Sequence, residues 1–177
     1  TQRKRRSIAK SGEVMVHGHP PYGYRKKVVD GRRTLVIYEP EAEIVRQVFR
    51  WYAYERLNFG QIAERLTEKG VPSWADVWGM GKKDRPYGEW SDQMVRRLLD
   101  KERYTGVWHY GKKSGNKPNP EETWIEVSIP RIIDQETWER TKRRFEEHAD
   151  WPNNTKRDYL VNGRLTCGLC GRPAHTY

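Results

Sequence analysis

Trp90-Ser91-Asp92-Gln93-Met94-Val95-Arg96-Arg97-Leu98-Leu99 spells a short capped helix with one apolar side and one polar side. Ser91 suits the N-cap, where its hydroxyl accepts a hydrogen bond from an otherwise unpaired first-turn amide. Asp92 then falls where the helix dipole favours an anion. At about 100° per residue, Met94, Val95, Leu98 and Leu99 share one side. Gln93, Arg96, Arg97 and Asp100 share the other, at the i, i+3, i+4, i+7 spacing. Arg and Gln make bidentate contacts to guanine and adenine edges in the major groove. The segment therefore reads as a candidate DNA-recognition helix. The plainer reading, a solvated surface helix, stands beside it, because Arg is common on exposed faces.

The rest of the chain supplies an electrostatic context. With 177 residues it suggests one domain and a small appendage. Lys and Arg number 34 against 24 Asp and Glu, a net charge of +10, which points to a polyanionic partner. Residues 1–33 hold ten basic side chains against two acidic ones, so that stretch carries eight of the ten net charges. The charge is a basic arm joined to a more balanced globule. Eight Trp, ten Tyr and three Phe supply large buried areas for a core. No apolar run approaches the roughly 18 residues of a membrane span. The start lacks the apolar stretch of a signal peptide. The expectation is a protein of the cytoplasm with no membrane partner. Two cysteines at C-x-x-C spacing suit a metal site or a dithiol better than a structural disulfide.

Residues 1–20 read as the basic arm and a linker. His17-Gly18-His19-Pro20-Pro21 cannot continue a helix, because proline removes a donor and biases its predecessor to extended geometry. Tyr24–Val29 and Thr34–Tyr38 flank Asp30-Gly31, a pair that favours a type I′ turn, with a loop of two residues or longer. Pro40 opens a helix whose apolar face is Ile44, Val45, Val48, Phe49 and Tyr52. Asn58 and Gln61 have capping-box spacing for a helix that buries Ile62, Ala63 and Leu66. Gly70-Val71-Pro72 stops it.

Residues 73–89 then form an unusually long loop, and the segment from Trp90 follows. Helices over 61–69 and 91–100 resemble the pair in a helix-turn-helix, although that motif allows only about 3–4 residues between them. They can still pack that way with the loop bulged out. Gly106–Tyr110 and Thr123–Ile129 read as strands around a basic loop, 111–118. Asp134 caps a last helix that turns Trp138, Thr141 and Phe145 inward.

Other constellations are weaker. Cys167 and Cys170 have zinc-knuckle spacing, yet tetrahedral zinc needs four ligands and only His175 offers a third. Glu89, Asp92, Asp100 and Glu102 are the residues a metal nuclease would use, but Asp92 already has a capping role. No Ser/His/Asp or phosphate-loop pattern occurs. The run Arg3-Lys4-Arg5-Arg6 reads either as a solvated tail or as a segment that follows a phosphate backbone or enters the minor groove.

In chain order, the segment from Gly18 to Tyr24, the segment Tyr38 to Phe49, Gln61 to Leu66 and Lys69 to Ser73 resemble the large serine recombinases, the phage integrases and transposon recombinases. The resemblance continues through Trp90-Ser91, Val95 to Leu99, Tyr104-Thr105-Gly106, Ile132-Ile133-Asp134 with Trp138, Tyr159-Leu160 and Cys167 to Gly171. It implies a recombinase DNA-binding domain over 21–150, a linker over 151–158 and the first half of a zinc ribbon over 159–177. Cys167 and Cys170 would supply half of that zinc site. Residues 1–20 would arrive from a catalytic domain outside this sequence, which carries the family's nucleophilic serine; no serine here matches it. The resemblance thus implies no catalysis by this chain alone. It implies a parent recombinase that works as a dimer or tetramer on DNA, encoded by a bacterium or phage, and a fragment that is itself monomeric.

The expected fold is α+β: a helix-turn-helix-like DNA-binding core, two β-hairpins and a truncated zinc-ribbon start. The expected function is sequence-specific binding of double-stranded DNA at an attachment site. Gln93, Arg96 and Arg97 would read bases. Arg3, Lys4, Arg5, Arg6 and Lys10 would hold phosphates. His17 and His19 lie on the linker expected to cross the minor groove, and Lys112, Lys113 and Lys117 are further phosphate contacts. The alternatives are an RNA-binding protein that stacks bases on its aromatics and a stand-alone metal nuclease.

Overall fold

The computed structural model describes residues 7–14, 16, 18–80, 86–114 and 117–149. The chain divides into two units, Thr1–Arg144 and Phe145–Tyr177. Of the second, only 145–149 are described. Arg3, Lys4, Arg5, Arg6 and His17 lie outside the described residues, as do Cys167, Cys170, His175 and the whole of 151–177.

The first hairpin pairs β1 (Tyr24–Val29) with β2 (Arg32–Ile37), from Tyr24 opposite Ile37 to Val29 opposite Arg32. Its turn is two residues long, with φ of 49° at Asp30 and 73° at Gly31. Both lie in the left-handed region that a type I′ turn requires. The second strand accordingly starts two residues earlier than its hydrophobic pattern suggests. Only the base of the hairpin packs: Tyr24 and Leu35 are buried, while Lys26–Val29 and Arg32–Arg33 are exposed. Residues 13–14 lie along the outer edge of β2. There the Val14 amide donates to the Arg33 carbonyl at 3.0 Å, and the Arg33 amide donates to the Glu13 carboxylate at 3.2 Å.

Helix α1 (Glu39–Ala53) carries Pro40 in its first turn and buries Ala42, Val45, Val48, Phe49 and Tyr52. Helix α2 (Phe59–Glu68) begins at the expected capping box: Gln61 N donates to Asn58 Oδ1 at 2.9 Å and Asn58 N to Gln61 Oε1 at 3.0 Å. It buries Ile62, Ala63 and Leu66. A one-turn helix, α3 (Trp74–Val77), sits inside the stretch expected to be loop, because Ser73 and Asp76 cap it reciprocally. Helix α4 (Asp92–Leu99) starts at Ser91, whose hydroxyl accepts from Met94 N at 3.3 Å. Val95, Leu98 and Leu99 are buried, and Met94 is half-buried. α4 packs chiefly against α2 and also against α1.

The long excursion between α2 and α4 is pinched at its neck. Trp90 Nε1 donates to the Val71 carbonyl at 2.8 Å, and Trp90 N to Thr67 Oγ1 at 2.9 Å. Gly88 N donates to the Asp76 carboxylate at 3.2 Å. The chain thus returns to where it left, as in an Ω-loop, and α2 and α4 pack against each other despite the length between them.

Beyond α4, a 3₁₀ turn (Glu102–Thr105) leads to β3 (Val107–Tyr110), which pairs antiparallel with β6 (Ile125–Ser128). Between them, β4 (Lys113–Ser114) pairs with β5 (Lys117–Pro118). The described residues therefore hold three two-stranded sheets, where two hairpins were expected. The extra ladder lies within the basic loop. Tyr24 Oη donates to the Pro130 carbonyl at 2.8 Å, tying the first hairpin to the segment after β6. Gly23, at φ +87°, admits no side chain there: an added Cβ would stand 2.8 Å from Ile132 Cδ1. No helix among the described residues is long and apolar enough to cross a membrane.

Helix α5 (Gln135–Ala149) starts at Asp134, whose carboxylate accepts from Thr137 N at 2.7 Å and Thr137 Oγ1 at 3.0 Å. Thr141 is buried and Trp138 half-buried. Arg144 turns back to donate to the Tyr52 carbonyl and, at 2.7 Å, to the Arg56 carbonyl, at the end of α1. The backbone hydrogen bond from Thr137 holds the Asp134 carboxyl below its ordinary value. Such a group stabilises the fold fully above the ordinary carboxylate pKa, and the contribution is lost as pH falls through the depressed one. Asp134→Ala is expected to cost about 1 kcal/mol at neutral pH. In urea titrations the gap between wild type and variant should close on acidification; a gap constant with pH would reject the charged cap.

Candidate nucleic-acid interface

Burying Val95, Leu98 and Leu99 fixes the rotation of α4, so that Gln93, Arg96 and Arg97 face outward. Among the described residues, none of these three side chains makes a hydrogen bond or ion pair. Asp92 turns its carboxylate onto Gln93 N at 2.8 Å, away from these three side chains. A planar guanidinium and an amide held outward on a packed helix are equipped for bidentate contacts to base edges.

The other expected contacts are distributed. Lys10 and His19 are exposed, and Lys117 is exposed on β5. Lys113 lies on β4. Lys112 Nζ is 3.1 Å from Glu102 Oε2 and lies 4.5 Å from the Trp124 ring centre. The hairpin adds exposed Lys26, Lys27, Arg32 and Arg33. These four belong to the hairpin expected from the sequence and were not among the expected site residues. Of the acidic residues weighed for a nuclease, Asp92 serves the Gln93 amide, and Glu102 is engaged by Lys112 and by His109 Nδ1 at 3.2 Å. No group of three or more His, Cys, Asp or Glu among the described residues is placed to hold a metal ion.

The linker ahead of β1 is seated on the 73–89 excursion. Trp74 Nε1 donates to the Pro20 carbonyl at 2.9 Å, and Tyr22 Oη donates to the Pro72 carbonyl at 2.9 Å. His19 stacks on Trp78 with ring centres 4.5 Å apart. Tyr22 meets Trp90 edge to face at 5.8 Å, and burial pushes its phenol well above the ordinary tyrosine value. Trp90 therefore links the linker, the neck of the excursion and the start of α4. Reading the sequence missed this seating. The one signal for it was a pair of tryptophans four residues apart, Trp74 and Trp78, in an otherwise polar loop.

Arg25 completes the junction. Its guanidinium lies over the Tyr38 ring at 4.0 Å and meets Glu41 in two hydrogen bonds, at 2.5 and 2.9 Å. The hydrogen bond to Glu41 raises its pKa. Arg25 is thus a structural cation, unlike the exposed Lys27, Arg32 and Arg33 on the hairpin.

Residues 39–148 match the Recombinase family. A Bacillus subtilis (strain 168) protein named "Putative DNA recombinase" is 30% identical over 169 residues, which cover 85% of this chain and 31% of that protein. Two solved structures share the fold. One, a crystal structure of an LSR–DNA complex, has a TM-score of 0.56 and 20% identity, over 96% of this chain and 45% of that one. The other, from work on the sequence requirements of the Listeria innocua prophage attP site, has a TM-score of 0.51 and 19% identity, over 96% of this chain and 62% of that one. The chain spans about a third of the Bacillus relative.

Proposed function

From the premise that this chain belongs to the Recombinase family, we propose that it is the duplex-DNA-reading part of a site-specific serine recombinase. One observation carries the reading: α4 packs on α2 and holds Gln93, Arg96 and Arg97 outward without hydrogen-bond or ion-pair partners among the described residues. Those three side chains read base edges in the major groove. The linker through His17 and His19 follows the minor groove toward Arg3–Arg6 and Lys10, which hold phosphates, with Lys112, Lys113 and Lys117 as outlying contacts. Strand exchange belongs to a serine-bearing domain elsewhere in the parent protein, which acts in the cytoplasm as a dimer or tetramer on DNA. Cys167 and Cys170 supply two thiolate ligands of a zinc-ribbon site. Attraction comes from the arm and hairpin, and specificity from α4.

The test is a selection of bound duplexes from a random pool, repeated with Arg96→Ala. The expected result is a loss of about 1–3 kcal/mol on the selected site, with preference relaxed at one position. Equal weakening on all duplexes would reject base reading by Arg96. Preference for structured RNA over duplex in competition would reject the DNA assignment.

A further inference from the structure

At the foot of α4 the surface recedes into a cleft of about 400 Å³, bordered by the C-cap residue Asp100 and by the turn and strand that follow. Four cations line it, Lys101, Arg103, Lys112 and Lys142, against two carboxylates, Asp100 and Glu102. Glu102 is already engaged by Lys112 and His109. Three of the cations rest on indoles: Arg103 over Trp108 at 4.5 Å, Lys112 over Trp124 at 4.5 Å and Lys142 over Trp138 at 5.7 Å. Stacking of this kind fixes where a long side chain holds its charge.

Arg103 stands apart from the others. It is half-buried, and no carboxylate or carbonyl among the described residues accepts a hydrogen bond from its guanidinium. Burial lowers its pKa, and no carboxylate offsets the effect. Holding an unpaired charge partly out of water is unfavourable, and an oxyanion seated in the cleft would relieve it. The planar guanidinium fork matches two oxygens of a phosphate, with a lysine as a second, point-like charge. The cleft shares Asp100 with the exposed side of α4, so it opens beside the side chains assigned to base reading.

We propose that this cleft is a phosphate-binding site in which Arg103 and Lys142 grip one backbone phosphodiester of the duplex that α4 reads. The proposal rests on the duplex-reading function above. It assigns Arg103, Lys142 and Trp108 a part that charge patterning along the sequence did not single out.

The experiment measures affinity of the full chain for the selected duplex and a scrambled one across a salt series, with Arg103→Gln and Lys142→Gln. Each variant is expected to weaken both duplexes by the same factor, about 5- to 10-fold at moderate salt. Each should also flatten the slope of log K against log salt, and the double variant should flatten it by about 0.9, the loss of one phosphate contact. Lys142 is exposed, so its variant retains the fold even if Arg103→Gln does not. Inorganic phosphate titrated into the chain should shift the Trp108 indole resonance in wild type and leave it still in Arg103→Gln. Salt slopes unchanged in both variants, while Arg96→Ala still relaxes base preference, would overturn the cleft and leave the duplex reading standing. A phosphate-dependent Trp108 shift in a chain with no affinity for duplex would overturn the backbone assignment, marking a free-anion site and the failure of the duplex reading.

Discussion

Trp90→Ala is expected to destabilise the domain by about 3–5 kcal/mol, the range for removing a buried aromatic side chain, and to abolish with it the duplex binding proposed above. Trp90 is only 7% exposed and packs edge to face on Tyr22. Its indole N–H satisfies the Val71 carbonyl, while its backbone amide is held by Thr67. Truncation opens a cavity and frees the neck of the excursion, so the first turn of α4 and the seat of the linker loosen together. Trp90→Phe separates the two contributions. It keeps most of the packing and leaves the Val71 carbonyl without its donor, a cost of about 1–3 kcal/mol. Chemical denaturation of the two variants measures both. An alanine variant as stable as wild type would show that the neck is held by the remaining contacts alone.

The second large effect is expected at Glu41. Glu41→Ala should cost about 3 kcal/mol, the low end for breaking a buried pair by removing one partner. The low end applies because the Arg25 side chain keeps 28% of its exposure while that of Glu41 keeps 7%. The loss is threefold: both hydrogen bonds to Arg25 go, and the Gly23 amide, now bonded to Glu41 Oε2 at 2.9 Å, is left buried without an acceptor. The double variant Arg25→Met, Glu41→Leu is expected to recover part of the loss, since replacing a buried pair by apolar groups is often close to neutral. A double variant no more stable than Glu41→Ala would locate the whole cost at the Gly23 amide. Melting curves of the three proteins decide the point.

These two positions also mark where reading the sequence stops working. Asn58 with Gln61, Ser91 with Met94 and Asp134 with Thr137 were legible because a cap and its partner lie three residues apart. The Asp30-Gly31 turn was legible for the same reason, although the second strand began earlier than the apolar pattern indicated. The extra β4–β5 ladder was missed, as was α3, whose capping box joins Ser73 to Asp76 in a stretch with no helical periodicity to announce it. The pairing of Arg25 with Glu41 was not legible, since nothing local tells a paired arginine from a free one.

Sequence by itself determined the local order and the chemistry on offer: which segments form the longer helices, where they start, which side of α4 is apolar, and that most of the net charge falls within residues 1–33. Those properties follow from propensity, capping and periodicity, which act over a few residues. Only the tertiary structure decided that the 73–89 excursion closes on itself and seats the linker, because Tyr22 and Pro72 are 50 residues apart and Trp74 and Pro20 are 54 apart. It likewise decided that Arg25 is committed to the fold while Arg96, Arg97 and Arg103 meet no carboxylate among the described residues. The availability of a cation for a ligand depends on which carboxylates the packed chain brings to it, and that is set by the folded core.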